Sequence, residues 1–117
     1  MRKISLALLL FFCFTLVAQE EYPKDAFRPP MDIPIILAGT FGELRSNHFH
    51  SGIDIKTQQR EGIPVLSIGN GTITRIKISL WGYGKVLYIA HPNGYTSVYG
   101  HLQKFSPSIE AYIKKLQ

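Results

Sequence analysis

The sequence predicts an all-β domain, mainly antiparallel, with one short helix near its end. Three observations carry this. Glycines at 39, 42, 52, 62, 69, 71, 82, 84, 94 and 100 punctuate the chain. Short runs of β-branched and aromatic residues lie between them, which suits half-buried strands. Asn93-Gly94, near the end of these runs, is a favoured dipeptide for a tight hairpin turn.

The elements follow in chain order. Arg2 and Lys3 precede an apolar run over residues 4–17, closed by Ala18 and then by polar Gln19, Glu20 and Glu21. This is the layout of a secretory signal, with cleavage expected after Ala18. The run of roughly 14 apolar residues is shorter than the ~20 that a spanning helix needs, so no stable membrane span is expected after cleavage. The single cysteine, Cys13, lies inside that run behind Phe12 rather than a small residue, and is expected to leave with it. The mature chain then holds neither a disulfide nor a thiolate metal site.

Without Arg2 and Lys3 the formal charge falls from +5 to +3, and the remaining basic residues are scattered. A mild, dispersed charge argues against a nucleic-acid partner. Residues 19–38 carry Pro23, Pro29, Pro30 and Pro34 and read as an extended lead-in or linker. The domain proper is expected over residues 39–117.

Strands are expected around 53–57, 64–68, 71–78, 85–91 and 95–101. With Asn93-Gly94 as a two-residue turn, Pro92 faces Tyr95. Leu87, Ile89 and His91 then share one face with Thr96 and Val98, while Val86, Tyr88, Tyr99 and His101 share the other. His91 therefore points away from His101, unless a bulge intervenes. Beyond Ser106, as cap, and Pro107 the period changes: Ile109, Tyr112, Ile113 and Leu116 fall on one helical stripe. The helix ends with no C-cap signal beside a sheet only just begun, so the domain is expected to be the N-terminal part of a longer one.

The stretch Asn47-His48-Phe49-His50-Ser51-Gly52-Ile53-Asp54-Ile55 carries the chemistry. In an extended strand His50 and Asp54 project from one face, with Gly52 leaving room between them. An imidazole nitrogen and a carboxylate oxygen suit zinc, whose catalytic sites take three protein ligands and keep one position for water. The bland alternative is a strand-end histidine beside a turn aspartate. His101 follows Gly100, whose missing side chain lets a substrate approach the imidazole, a group that exchanges protons near neutral pH. Its alternative is an exposed strand end. His48 shares a face with His50 in an extended segment and is a substitute ligand or substrate contact. Arg45 can fork onto a peptide carboxylate, Tyr99 either lines the groove or packs, and His91 reads as structural. Trp81 and Tyr83 share a loop but make only a small aromatic platform for glycan.

His50-x-Gly52-x-Asp54, Gly62-Ile63-Pro64-Val65, Gly69-Asn70-Gly71-Thr72, Gly82-Tyr83-Gly84-Lys85-Val86, His91-Pro92-Asn93-Gly94 and Tyr99-Gly100-His101-Leu102 form six ordered blocks. Together they resemble the lysostaphin/LytM-type zinc peptidases over residues 39–105. Phe41-Gly42-Glu43-Leu44-Arg45 ahead of them resembles the form found in Gram-negative envelope proteins. The resemblance implies a β-sheet fold of the duplicated hybrid motif type and an exported zinc metalloendopeptidase that cuts peptide cross-links of peptidoglycan in the periplasm or cell envelope. It makes His50 and Asp54 the first two ligands of one zinc ion and His101 a catalytic histidine. It assigns the third ligand to a downstream His-x-His motif, and no histidine follows His101 here. The alternative it leaves is a catalytically inactive LytM-type module that binds, and activates, another cell-wall hydrolase among envelope partners.

Overall fold

A computed structural model describes residues 22–117, so the expected signal segment and Cys13 lie outside the described residues. Among the described residues the architecture is antiparallel β, in two sheets, with one helix last in order. Strand β1 (Leu37–Gly39) pairs with β2 (Asp54–Ile55), and β3 (Thr72–Ile78), β4 (Lys85–Ala90) and β5 (Thr96–Tyr99) form a meander in that order. Helix α1 spans Pro107–Lys115.

The central strand β4 is the most buried element. Val86, Leu87 and Ile89 are buried, and Leu87 and Ile89 form the core with Phe105. Ile76, Tyr99 and Leu102 pack against that cluster, as do Ile109 and Ile113 of α1. The helix thus docks through half of its expected stripe, because Tyr112 and Leu116 stay exposed. Pro107 opens the helix as expected, and Ser106 holds the cap position without a capping hydrogen bond from its side chain. Glu110 instead reaches back to accept the Phe105 N–H at 3.2 Å.

The β4–β5 hairpin departs from the expected register by one residue. Ala90 faces Thr96, and Leu87 faces Tyr99. The His91 N–H donates to the Tyr95 carbonyl at 2.8 Å, and the Gly94 N–H to the His91 carbonyl at 3.0 Å. Pro92, Asn93 and Gly94 therefore make a three-residue loop with Gly94 at φ +85°, the left-handed position such loops require. The cause is the missing N–H of Pro92, which cannot close the hydrogen-bonded pair flanking a two-residue turn. The slip turns over every side chain of β5. Tyr99 and Ser97 now share a face with Leu87, Ile89 and His91, whereas Val98 lies on the other side. The separation of His91 from His101 by strand alternation is lost too, since His101 leaves the strand altogether at φ +55°.

Residues 64–68 form no strand. They are tied instead to the lead-in, by the Arg28 N–H to the Ile68 carbonyl at 2.8 Å and the Leu66 N–H to the Pro30 carbonyl at 2.7 Å. Residues 22–38 are consequently part of the packed body: Met31 is buried, and the Phe27 ring meets His91 and Tyr95 edge-on at 5.2 and 5.9 Å. Among the described residues no helix is long and apolar enough to cross a membrane.

Candidate functional site

The site is built by residues 39–54, which fold back on themselves twice. Thr40 to Glu43 is a tight turn, with the Glu43 N–H on the Thr40 carbonyl at 3.3 Å and Gly42 at φ +76°. A positive φ at the third residue is what a type II turn demands, and glycine supplies it without strain. The chain then runs out and back through Leu44 and Phe49, which bridge antiparallel, around Ser46 and Asn47. The Gly42 N–H donates to the His50 carbonyl at 2.7 Å and the His50 N–H to the Glu43 carbonyl at 2.8 Å, which sets His50 beside the Thr40 turn.

His50 and Asp54 come together. His50 Nε2 lies 3.3 Å from Asp54 Oδ1. The expected extended strand cannot do this, because four residues at ~3.3 Å each would hold the two backbones about 13 Å apart. The chain bends at Gly52, and only Asp54 and Ile55 are strand. Open space surrounds the position a Gly52 side chain would take.

The imidazole is held from its other edge. His50 Nδ1 donates to the Thr40 carbonyl at 2.9 Å, and because a carbonyl only accepts, the neutral ring carries its proton there and turns the Nε2 lone pair toward Asp54. Asp54 in turn receives Arg45 Nη2 on Oδ2 at 2.7 Å. Glu43 Oε2 lies 3.6 Å from the same nitrogen and accepts the Thr40 N–H at 3.1 Å. Thr40, His50, Asp54, Arg45 and Glu43 so close a ring of polar contacts in which the Glu43, Arg45 and Asp54 side chains stay partly open to water.

The remaining candidates are placed differently. His48 is exposed at the turn, its Nδ1 2.6 Å from Asn47 Oδ1. Tyr99 packs on the core, and its hydroxyl accepts the Ile68 N–H at 2.9 Å. His91 is buried, with Nδ1 on the Asn70 carbonyl at 2.7 Å and Nε2 2.8 Å from Ser97 Oγ, the fully satisfied setting of a structural histidine. Trp81 stands out into solvent.

His101 is exposed, and its left-handed backbone is uncommon for a residue with a side chain, a type of strain that collects at functional sites. Its N–H donates to the Tyr83 carbonyl at 2.8 Å, and the two rings meet edge-on at 6.2 Å. The Tyr83 hydroxyl sits 2.6 Å from Ser51 Oγ. Tyr83 is thus the tie between the His101 corner and the loop after His50. Neither this tie nor the Thr40 turn was foreseen from sequence. The Thr40-x-x-Glu43 spacing is one signal for the latter, since a glutamate there reaches back to the N–H three residues earlier, as in a capping box.

Among the described residues no three histidine, cysteine, aspartate or glutamate side chains cluster as a metal site, so His50 and Asp54 stand as a pair of donors. A pair of this kind, a lone-pair nitrogen beside an anionic oxygen, can share a divalent cation.

Residues 48–117 match the family described as peptidase family M23. The chain is 40% identical over 63 residues to the DD-carboxypeptidase/endopeptidase Mpg of Neisseria meningitidis serogroup B, covering 54% of this chain and 14% of that protein. The same protein of Neisseria gonorrhoeae matches at the same identity and coverage. The lipoprotein NlpD/LppB homolog of Pseudomonas aeruginosa is 41% identical over 61 residues, which is 51% of this chain and 20% of that protein. The chain therefore spans a fifth or less of these curated relatives. No solved structure gives a match. A family match that begins within two residues of His50, includes Asp54 and His101, and runs through the meander and α1 places this chain in peptidase family M23.

Proposed function

We propose that the encoded protein is an exported zinc metalloendopeptidase of the bacterial cell envelope that hydrolyses peptide cross-links in peptidoglycan, and that His50 and Asp54 are two of its zinc ligands. The carrying observation is the 3.3 Å approach of His50 Nε2 to Asp54 Oδ1, with Nδ1 already committed to Thr40. Two donors bonded to zinc at ~2.0–2.1 Å and tetrahedrally disposed stand about 3.4 Å apart. The pair fits two corners of such a site. Family membership and similarity to a protein named as a DD-carboxypeptidase/endopeptidase support the reaction class.

His50 would hold the ion through Nε2 and Asp54 through Oδ1. By resemblance to the lysostaphin/LytM-type peptidases a third protein ligand would come from a His-x-His motif, and these 117 residues hold no histidine after His101. Bound zinc supplies a Lewis acid and an activated water. The protein's own groups do the rest: the Thr40 carbonyl fixes the His50 tautomer, and His101 holds a proton donor at the substrate carbonyl, its corner anchored on Tyr83.

The test is release of soluble fragments from purified peptidoglycan by the encoded protein, with His50→Ala as the variant. Loss of at least a hundredfold in rate is expected, together with loss of bound zinc; undiminished turnover rules out the ligand assignment. The alternative reading is an inactive module that activates a separate hydrolase. It predicts no release by the protein alone, and release restored by a partner hydrolase irrespective of His50.

A further inference from the structure

We infer that Arg45 is a positioning residue which gives the two oxygens of Asp54 different tasks, holding Oδ2 so that Oδ1 stays free to face His50 and a cation. The inference rests on the reading of His50 and Asp54 as zinc ligands. It assigns Arg45 a role other than the substrate contact expected from sequence.

An arginine beside a carboxylate commonly donates from two nitrogens to both oxygens. Here it does not. Arg45 Nη2 meets Oδ2 at 2.7 Å, while Arg45 Nε is shut off from solvent and has no hydrogen-bond partner. A buried donor left unpaired is unfavourable, and swinging the guanidinium side-on to Asp54 is the evident way to pair it. That swing would cap Oδ1, which instead lies 3.3 Å from His50 Nε2. The observed geometry leaves one hydrogen bond unmade and one carboxylate oxygen uncommitted.

Two neighbours enforce this choice. Glu43, itself anchored on the Thr40 N–H, draws the same Nη2 from the other side. Gly39, the β1 residue that faces Asp54 in the ladder, leaves the space in which the ion pair sits. A Cβ at Gly39 would overlap both Arg45 Nη2 and Asp54 Oδ2. Gly39, Thr40, Glu43 and Arg45 all precede the residues matched to the family. The support for the ligand pair is therefore carried by a segment outside the family match.

The arrangement also distinguishes positioning from competition. A guanidinium that merely competed with a cation for Asp54 would weaken metal binding, and removing it would tighten zinc. A positioning guanidinium does the reverse, since loss of an outer partner of a ligand typically lowers metal affinity 10–100-fold.

The experiment has two arms, both on the encoded protein. In the first, without metal, guanidinium NMR reads rotation about the Arg45 Nε–Cζ bond. Slow rotation is expected in the wild type and fast rotation in Asp54→Ala; fast rotation in both overturns the proposal whatever zinc does. In the second, zinc is titrated against a chromogenic chelator. Arg45→Gln is expected to weaken zinc at least tenfold, and Arg45→Lys, which can still reach one oxygen, to stay within about threefold of wild type. Unchanged or tighter zinc in Arg45→Gln overturns the positioning role. Wild-type zinc binding no stronger than that of Asp54→Ala sinks the ligand reading of the site, and the rotation measurement then decides separately whether Arg45 holds Asp54.

Discussion

The meander of β3, β4 and β5 and the segment 39–55 are stabilised by different means. In the meander Val86 is 1% exposed, and Leu87, Ile89 and Phe105 gather Tyr99, Ile109 and Ile113 around them. In the site segment Phe41, Leu44 and Phe49 are all exposed, Phe49 at 69%, and the shape is set by backbone hydrogen bonds and a polar ring. Burial of apolar area is strong and nondirectional, whereas turns and ion pairs are weak and directional. The difference teaches that the region which fixes the fold is not the region which fixes the angle between His50 and Asp54.

Substitutions that uncouple the two regions sharpen that contrast. The largest effect belongs to Leu87→Ala, which is expected to cost about 2–5 kcal/mol, a large fraction of the stability of so small a core. Urea denaturation followed by circular dichroism checks it, and a loss under 1 kcal/mol would mean the meander is not where stability resides. Gly39→Ala comes next, at about 1–3 kcal/mol of local strain. It should displace Arg45 and Asp54, visible as amide chemical-shift changes confined to residues 39–55; shifts spreading through β4 would break the comparison. The smallest is Tyr83→Phe, which removes the hydroxyl contact with Ser51. About 0.5–1 kcal/mol is expected, read as faster amide exchange over residues 50–53 with the denaturation midpoint nearly unchanged.

The sequence made the meander legible because β-branched runs and an Asn-Gly pair announce strands and a hairpin. Its register was not legible from that dipeptide alone, since the deciding fact was an absent N–H one residue earlier, at Pro92. The 64–68 run is rich enough in β-branched and apolar residues to suggest a strand, yet its backbone-to-backbone hydrogen bonds go singly to Arg28 and Pro30, a long-range pairing that no local pattern encodes. At the site, the residue types and spacing singled out His50 and Asp54. The bend that joins them was hidden, because Gly52 reads equally as a spacer in a strand and as a pivot. Arg45 was legible as a charge near the site, but not its partner, since a salt bridge between residues nine apart depends on two turns being in place.

The hairpin tip has one more implication. Pro92 lies inside the loop, whereas His91 and Tyr95 already face one another across it. Were Pro92 deleted, Asn93-Gly94 alone would span the same pair, in the shortest connection that strand twist favours. Pairing along β4 and β5 would carry on as before, so Tyr99 would keep its place against the core and the approach to His101 would be undisturbed. The tip is thus a place where the chain tolerates gaining or shedding a residue, out of earshot of both core and chemistry.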